Sequence, residues 1–150
     1  MGHIYASIEL TNAADVEVAR RGLMDIDEVR RIRVEAMVDT GAFYMVINEN
    51  IQELLQLPVI GKKRIALANG QPVECDHVFP VEIRFENRLA HCDAIVLPGD
   101  AEPLLGALPL EQMDVLIDPV RQRLIVNPAH PDYAILKMRT VFRTQPADPS

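Results

Sequence analysis

Cysteine, long apolar runs and positive charge are all scarce in this sequence. Its two cysteines, Cys75 and Cys92, are too few for a disulfide framework. No apolar run approaches the roughly 18 residues that a transmembrane helix needs, so we expect no membrane association. Residues 1–5 contain neither a basic nor an apolar signal region, which leads us to expect a cytoplasmic protein.

Basic residues are outnumbered by acidic ones, 15 Lys and Arg against 22 Asp and Glu, for a net charge of −7. A protein that binds the nucleic-acid backbone needs a concentrated positive field. The basic clusters are short: Arg20-Arg21, residues 30–33 and residues 62–64. We therefore expect no nucleic-acid partner.

The rest of the composition is that of an ordinary globular protein, with 49% hydrophobic and 25% charged residues. A chain of 150 residues corresponds to about one domain and can fold without disulfides or a metal. It contains no internal repeat and no linker. We expect residues 1–128 to form the domain and residues 129–150 to form a C-terminal arm or tail. Residues 144–150 are polar with two prolines, and we expect them to be loose.

Two Cys and two His occur in the segments Cys75-Asp76-His77 and His91-Cys92-Asp93. This set is the composition of a tetrahedral zinc site. On a strand, however, neighbouring side chains point to opposite faces, so His91 and Cys92 cannot converge without a bulge. The spacing predicts no metal site, and an ordinary structural role for all four residues.

Alternating apolar residues predict a mostly-β protein of short strands, which favours a small barrel over a parallel α/β sheet. In the first strand, Ile4, Ala6, Ile8 and Leu10 share one face. The predicted strands are His3–Leu10, Val29–Val38, Lys63–Ala68, Val73–Val81, Glu82–Phe85, Ala90–Leu97, Asp114–Ile117 and Arg123–Val126.

One or two short helices interrupt this pattern. Asn48 is a good N-cap for a helix over Glu49–Leu55, and a second short helix is predicted near Pro109–Met113. Residues 11–25 fit either a strand or a short helix that begins after Asn12. Residues 133–142 fit either a strand or a packed arm.

The Asn69-Gly70 pair predicts a β-hairpin between residues 63–68 and 73–81. Both residue types accept the positive φ angles of a type I′ turn, so that turn type is expected.

A candidate catalytic site is indicated by the segment Ala36-Met37-Val38-Asp39-Thr40-Gly41-Ala42. An Asp that directly follows a buried strand is costly unless its charge is hydrogen-bonded or paired. Gly41 lets the backbone turn tightly and bring amide N–H groups to the carboxylate. Such an arrangement holds a carboxylate rigidly at the end of a core strand, as catalysis requires.

Residues 37–42 resemble the active-site signature of the retropepsin-like aspartic proteases, and of these the bacterial and archaeal members most closely. Leu104-Leu105-Gly106 resembles the second family mark, two apolar residues and a glycine before a short helix. The resemblance covers roughly residues 4–128, and implies a small closed barrel. It also implies that residues 65–74 form a flap over the substrate, with Asn69, Gly70 and Gln71 near its tip.

The resemblance implies an aspartic endopeptidase that needs no cofactor. In this family two aspartates activate one water, which attacks the peptide bond of a polypeptide substrate. The sequence contains a single Asp-Thr-Gly and no Asp-Ser-Gly. The second carboxylate must then come from another copy, so we expect a homodimer with Asp39 as the catalytic residue. Thr40 would hydrogen-bond across the twofold axis, as the family's threonines do, and Gly41 and Ala42 would support the loop.

Two positions depart from the retroviral pattern. Phe43 and Ala107 stand where retroviral members carry an Asp and an Arg that pair near the dimer interface. Loss of both charges is consistent with an apolar replacement. Candidate walls of a substrate pocket are Ala42, Phe43, Ile65, Leu67 and Leu105.

Two other interpretations stay open at this point. One is a dimer that binds an extended peptide by β-augmentation without cleaving it. The other is a structural or regulatory protein in which the Asp39 turn is only a turn. The presence of Asp39 favours the enzyme over a pure binding module.

Overall fold

The computed structural model describes residues 2–138. Nine strands and three α-helices follow one another along this part of the chain, with a single 3-10 turn at Ile26–Glu28. In chain order they are β1 (Tyr5–Asn12), α1 (Ala13–Arg20), β2 (Arg31–Val38), β3 (Met45–Asn48), α2 (Glu49–Leu55), β4 (Val59–Ala66), β5 (Pro72–Phe85), β6 (Arg88–Leu97), β7 (Leu104–Leu105), α3 (Ala107–Met113), β8 (Val115–Asp118) and β9 (Arg123–Val126).

Six strands close into a mixed β-barrel, in the order β1-β2-β7-β3-β6-β5, with β5 pairing back to β1. β4 extends this sheet beyond β5, and β8 and β9 form a separate hairpin. The predicted small closed barrel is confirmed. Its two parallel pairings, β2 with β7 and β3 with β6, bring the ends of distant chain segments together.

The barrel interior is filled by alternate residues of its strands. On β1, Ala6, Ile8 and Leu10 are all buried, which confirms the predicted inward face. Ile4 precedes the strand and is half-buried. The strand begins two residues later than predicted and continues to Asn12. Each fully buried Leu or Ile side chain contributes about 1.5–3 kcal/mol relative to an exposed one.

The structure has three short α-helices, where one or two were predicted. α2 has the predicted bounds, and the Asn48 side chain accepts a hydrogen bond from the amide of Ile51 at 2.8 Å. α1 is the additional helix, and it resolves the choice left open for residues 11–25. Asn12 caps α1 by accepting from the amide of Asp15 at 3.1 Å.

An ion pair between the buried Asp15 and the exposed Arg30 stabilises the position of α1. Arg30 donates from Nε and Nη2 to the two carboxylate oxygens of Asp15, each at 2.8 Å. These hydrogen bonds lower the pKa of Asp15. Arg30 directly precedes β2 and binds both carboxylate oxygens of Asp15. The pair therefore fixes α1 against the start of β2.

The β4–β5 hairpin forms as predicted, but its turn is not type I′. Only Gly70 has a positive φ, +82°, and Asn69 does not. The amide of Gly70 donates to the carbonyl of Leu67 at 2.8 Å, and the amide of Leu67 donates to the carbonyl of Gln71 at 3.0 Å. This pattern is the longer hairpin loop in which a type I turn is followed by a left-handed residue.

The chain after β9 packs on α3 and the barrel around one carboxylate. Asp114 accepts from Asn127 Nδ2 at 3.0 Å, from His130 Nδ1 at 2.7 Å and from the amide of Ile135 at 3.0 Å. The bonds from Ile135, Asn127 and His130 hold the pKa of Asp114 at about 2. Residues 133–138 form an arm without regular secondary structure, not a strand. The rest of the predicted tail, residues 139–150, lies outside the described residues.

No helix within residues 2–138 has the length and apolar character needed to cross a membrane.

Candidate active site

Asp39 lies where β2 ends, at a point fixed by the neighbouring strand. Its amide donates to the carbonyl of Leu105 at 3.0 Å, which continues the parallel β2–β7 pairing by one residue. Asp39 is half-buried as a residue, and its Oδ1 accepts from the amide of Gly41 at 2.9 Å. The predicted turn that brings an amide to the carboxylate is therefore confirmed.

The loop formed by residues 39–44 is held from its other side by the start of α3. The amide of Ala107 donates to the carbonyl of Ala42 at 2.7 Å, and that of Leu108 donates to the carbonyl of Phe43 at 3.1 Å. The structure thus brings the two sequence motifs, residues 37–42 and residues 104–106, into direct contact. Phe43 and Ala107 lie on the two segments that these backbone hydrogen bonds join, each bonded to the other's neighbour.

Gly106 is required by this contact. A Cβ atom at this position would lie 2.2 Å from the carbonyl oxygen of Tyr44 and 2.8 Å from that of Ala42. Both oxygens belong to the backbone of the Asp39 loop and cannot move independently of it. The glycine therefore permits close packing of β7 against the loop.

The predicted support residues take different positions. Thr40 and Gly41 are exposed at the apex of the loop, whereas Ala42 is half-buried. Leu104 pairs with Met37 on one side and Val46 on the other, and Leu105 is fully buried in the core. Because of its burial, Leu105 is a core residue and not a pocket wall.

The predicted flap residues lie on the β4–β5 hairpin and at its turn. Ile65 and Leu67 are half-buried, whereas Asn69, Gly70 and Gln71 are exposed. The Asn69 side chain accepts from the amide of Gln71 at 3.0 Å. Among the described residues of a single chain, no hydrogen bond joins this turn to the Asp39 loop.

An aromatic contact connects the Asp39 loop to β5, nearer the base of the same hairpin. The Tyr44 ring meets the His77 ring with centroids 5.9 Å apart and planes at 61°. His77 Nε2 lies 2.6 Å from Asp93 Oδ2, and the Tyr44 ring also meets that of Phe43 at 5.1 Å. Phe43 itself is 60% exposed, beside the loop that carries Asp39.

The remaining Cys and His residues of the two suspected segments are used separately. Cys75 and Cys92 are buried, and burial raises the pKa of both thiols, that of Cys92 to about 12. His91 Nε2 lies 3.0 Å from Glu82 Oε1 on the neighbouring strand. Over residues 2–138, no cluster of three His, Cys, Asp or Glu side chains is arranged around a common point.

The sequence pointed to His77 only as a possible zinc ligand, and not to its contacts with Tyr44 and Asp93. The β5–β6 register shift between Val78 and Val81 sets the pairing of His77 with Ile95, two residues from Asp93, and Tyr44 directly precedes β3, which pairs Met45 with Ala94 of β6. Such a shift leaves no signal in residue alternation. A lone histidine in a strand is ordinarily a surface residue, so His77 carried no indication of this contact.

Comparisons with known proteins agree with this geometry. A family model described as aspartyl protease matches residues 24–108, which is more than half of the chain and includes both motifs. The fold is similar to the retroviral protease-like domain of Ddi1 from Leishmania major, with a TM-score of 0.54 and 15% identity. That match covers 85% of this chain and 90% of the Ddi1 chain. No match was found among curated proteins.

Proposed function

The chain belongs to the aspartyl protease family, and from this premise we propose that it is an aspartic endopeptidase that acts as a homodimer. The observation that carries the proposal is the Asp39 loop. Its carboxylate is held by the Gly41 amide, and its backbone is hydrogen-bonded to β7 and, through Ala42, to α3. A carboxylate fixed in this way needs little reorganisation before it acts on a substrate.

The proposed dyad consists of Asp39 from each of two copies. The sequence supplies one Asp-Thr-Gly, so a twofold axis beside the loop would place two identical carboxylates together. Two such groups a few Å apart cannot both ionise, and they therefore share one proton. The apparent pKa values then belong to the pair and not to either residue.

Peptide hydrolysis follows from this shared proton. The ionised carboxylate takes a proton from a water molecule while the oxygen of that water bonds to the scissile carbonyl carbon. The protonated carboxyl group gives its proton to the carbonyl oxygen, which produces a neutral tetrahedral intermediate. The carboxyl group that took the water proton then gives it to the amide nitrogen, while the other carboxylate takes a proton from a hydroxyl group of the intermediate, and the carbon–nitrogen bond breaks. The dyad returns to its starting protonation state without a metal or cofactor.

The substrate we propose is an extended polypeptide that lies between the Asp39 loop and the β4–β5 hairpin. The walls available beside the loop are apolar, with Ala42 half-buried and the Phe43 ring exposed. Ile65 and Leu67 supply half-buried apolar side chains on the hairpin. A substrate with apolar side chains on both sides of the scissile bond fits this environment best.

Specific peptidase activity should fall as the enzyme is diluted. Activity on an unstructured protein is measured from acid to neutral pH across a series of enzyme concentrations. Below the dimer dissociation constant, the fraction of paired Asp39 falls with concentration, so activity per chain falls with it. Constant activity per chain from a demonstrated monomer would contradict the homodimer. If the unstructured protein is bound but not cleaved at any enzyme concentration, the result would favour the peptide-binding module.

The β4–β5 hairpin should gain protection from hydrogen exchange when a transition-state mimic binds. Its turn is exposed at Asn69, Gly70 and Gln71, which places it at the low-stability end of the structure. A mimic with a hydroxyl group in the position of the attacking water should bind far more tightly than a matching substrate. Exchange of the Gly70 and Gln71 amides is compared with that of Ala36 in β2. Unchanged exchange at saturating mimic would rule out a flap.

A further inference from the structure

His77 occupies a position between two parts of the candidate site. His77 lies on β5, which forms one side of the β4–β5 hairpin, and it pairs with Gly61 of β4. The His77 side chain is only 13% exposed, although it is ionisable. Its ring faces Tyr44, the last residue of the Asp39 loop.

Asp93 fixes the orientation of the His77 ring. Nε2 of His77 lies 2.6 Å from Asp93 Oδ2, and β6 carries Asp93 next to β5. With Nε2 protonated, His77 donates to the carboxylate, and the ring cannot rotate without loss of that bond. The ring edge is thereby held toward Tyr44, in a T-shaped arrangement that aromatic rings favour.

Tyr44 is in turn connected to the backbone that bears Asp39. Its carbonyl oxygen packs against Gly106, and its ring contacts that of Phe43. Displacement of the Tyr44 ring would therefore disturb both the wall formed by Phe43 and the contact between the loop and β7.

We propose that His77 is a positioning residue: held by Asp93, its ring supports Tyr44 and fixes the Asp39 loop relative to the base of the β4–β5 hairpin. The functional part of this inference rests on the proposed peptidase. A peptide that lies between the β4–β5 hairpin and the Asp39 loop contacts both of them at once. Its binding therefore depends on the distance between the hairpin and the loop. The Asp39 carboxylate accepts from the Gly41 amide and the Asp39 amide donates to the Leu105 carbonyl, and neither hydrogen bond involves His77.

His77→Gln tests the proposal with two measurements. Amide exchange over residues 41–44 should accelerate roughly 3- to 10-fold, the factor expected for loss of one aromatic contact. In the peptidase assay, KM should rise by a similar factor while kcat changes less than about 2-fold, because substrate placement is lost and the dyad is not.

His91→Gln is the matched control. His91 pairs with Glu82 across the same two strands, but it is 56% exposed and makes no aromatic contact with the loop. The His91→Gln substitution should leave both the amide exchange of residues 41–44 and the peptidase kinetics unchanged. Tyr44→Phe keeps the ring and should behave as the wild type, whereas Tyr44→Leu should reproduce the effect of His77→Gln.

The outcomes separate this inference from the proposed function. If the amides of residues 41–44 exchange at the same rate in His77→Gln as in His91→Gln, His77 has no positioning role. The same conclusion follows if Tyr44→Leu leaves that rate unchanged. The exchange measurement decides this even if the wild type cleaves nothing. Should His77→Gln fail to fold, Asp93→Asn and Tyr44→Leu provide the same test.

Discussion

Replacement of Asp39 by Asn is expected to lower peptidase activity by at least ~10³-fold, near the upper part of the range for loss of a general acid–base group. The amide cannot take a proton from water or share one with a partner carboxylate. The fold should be unaffected, because Oδ1 of Asn can still accept from the amide of Gly41, as Oδ1 of Asp39 does at 2.9 Å. Initial rates and thermal unfolding of the same preparations measure the two effects.

Asp100→Asn is the control for this substitution. It removes one negative charge from an exposed position outside the Asp39 loop and should leave activity within about twofold of the wild type. If Asp39→Asn cleaves the substrate at the wild-type rate, the assignment of Asp39 as the catalytic residue is wrong.

Gly106→Ala should have the largest effect on stability among single-methyl additions in the site. The new Cβ would lie 2.2 Å from the Tyr44 carbonyl oxygen, a distance that forces β7 and the Asp39 loop apart. We expect a loss of about 3 kcal/mol in the free energy of unfolding, the upper end of the cost of overpacking. Activity should fall with it, since the same loop positions Asp39. Denaturant titrations at fixed protein concentration provide the measurement.

Gly61→Ala is the matched control, since it makes the same chemical change in a β-strand. A Cβ at residue 61 would meet no atom within 4 Å, and the backbone there has no positive φ. Its free energy of unfolding should stay within about 0.5 kcal/mol of the wild type. If Gly106→Ala is equally harmless, the close packing of β7 on the loop is not a requirement of the fold.

The parts of the fold that depend on local signals could be predicted from the sequence. α2 has both an N-cap, Asn48, and a proline, Pro58, soon after its end, and its bounds were predicted correctly. The strand that ends in Asp39 was recognisable because its apolar residues run directly into a carboxylate. The contact between residues 37–42 and 104–106 was not predicted, since no local signal connects segments that far apart.

The parts that depend on tertiary contacts could not be predicted. Val16 and Val18 fit a strand or a helix equally well, and α1 forms where Asp15 meets Arg30 from a distant part of the chain. At Asn69-Gly70 the residues allow a two-residue type I′ turn, but the Leu67–Gln71 pairing sets a longer loop in which only Gly70 needs a positive φ. The Tyr44–His77–Asp93 contacts depend on the β3–β6 pairing and on a β5–β6 register shift, which side-chain alternation does not encode.

The central claim is that each active site uses Asp39 from two copies of the chain, and subunit mixing tests it most directly. Wild-type protein is mixed with a ninefold excess of Asp39→Asn protein and allowed to exchange subunits, and cleavage is measured per wild-type chain. If the dyad is shared, activity per wild-type chain should fall to about one tenth, because most wild-type subunits then pair with an inactive partner. Undiminished activity per wild-type chain, with subunit exchange demonstrated, would contradict the shared dyad.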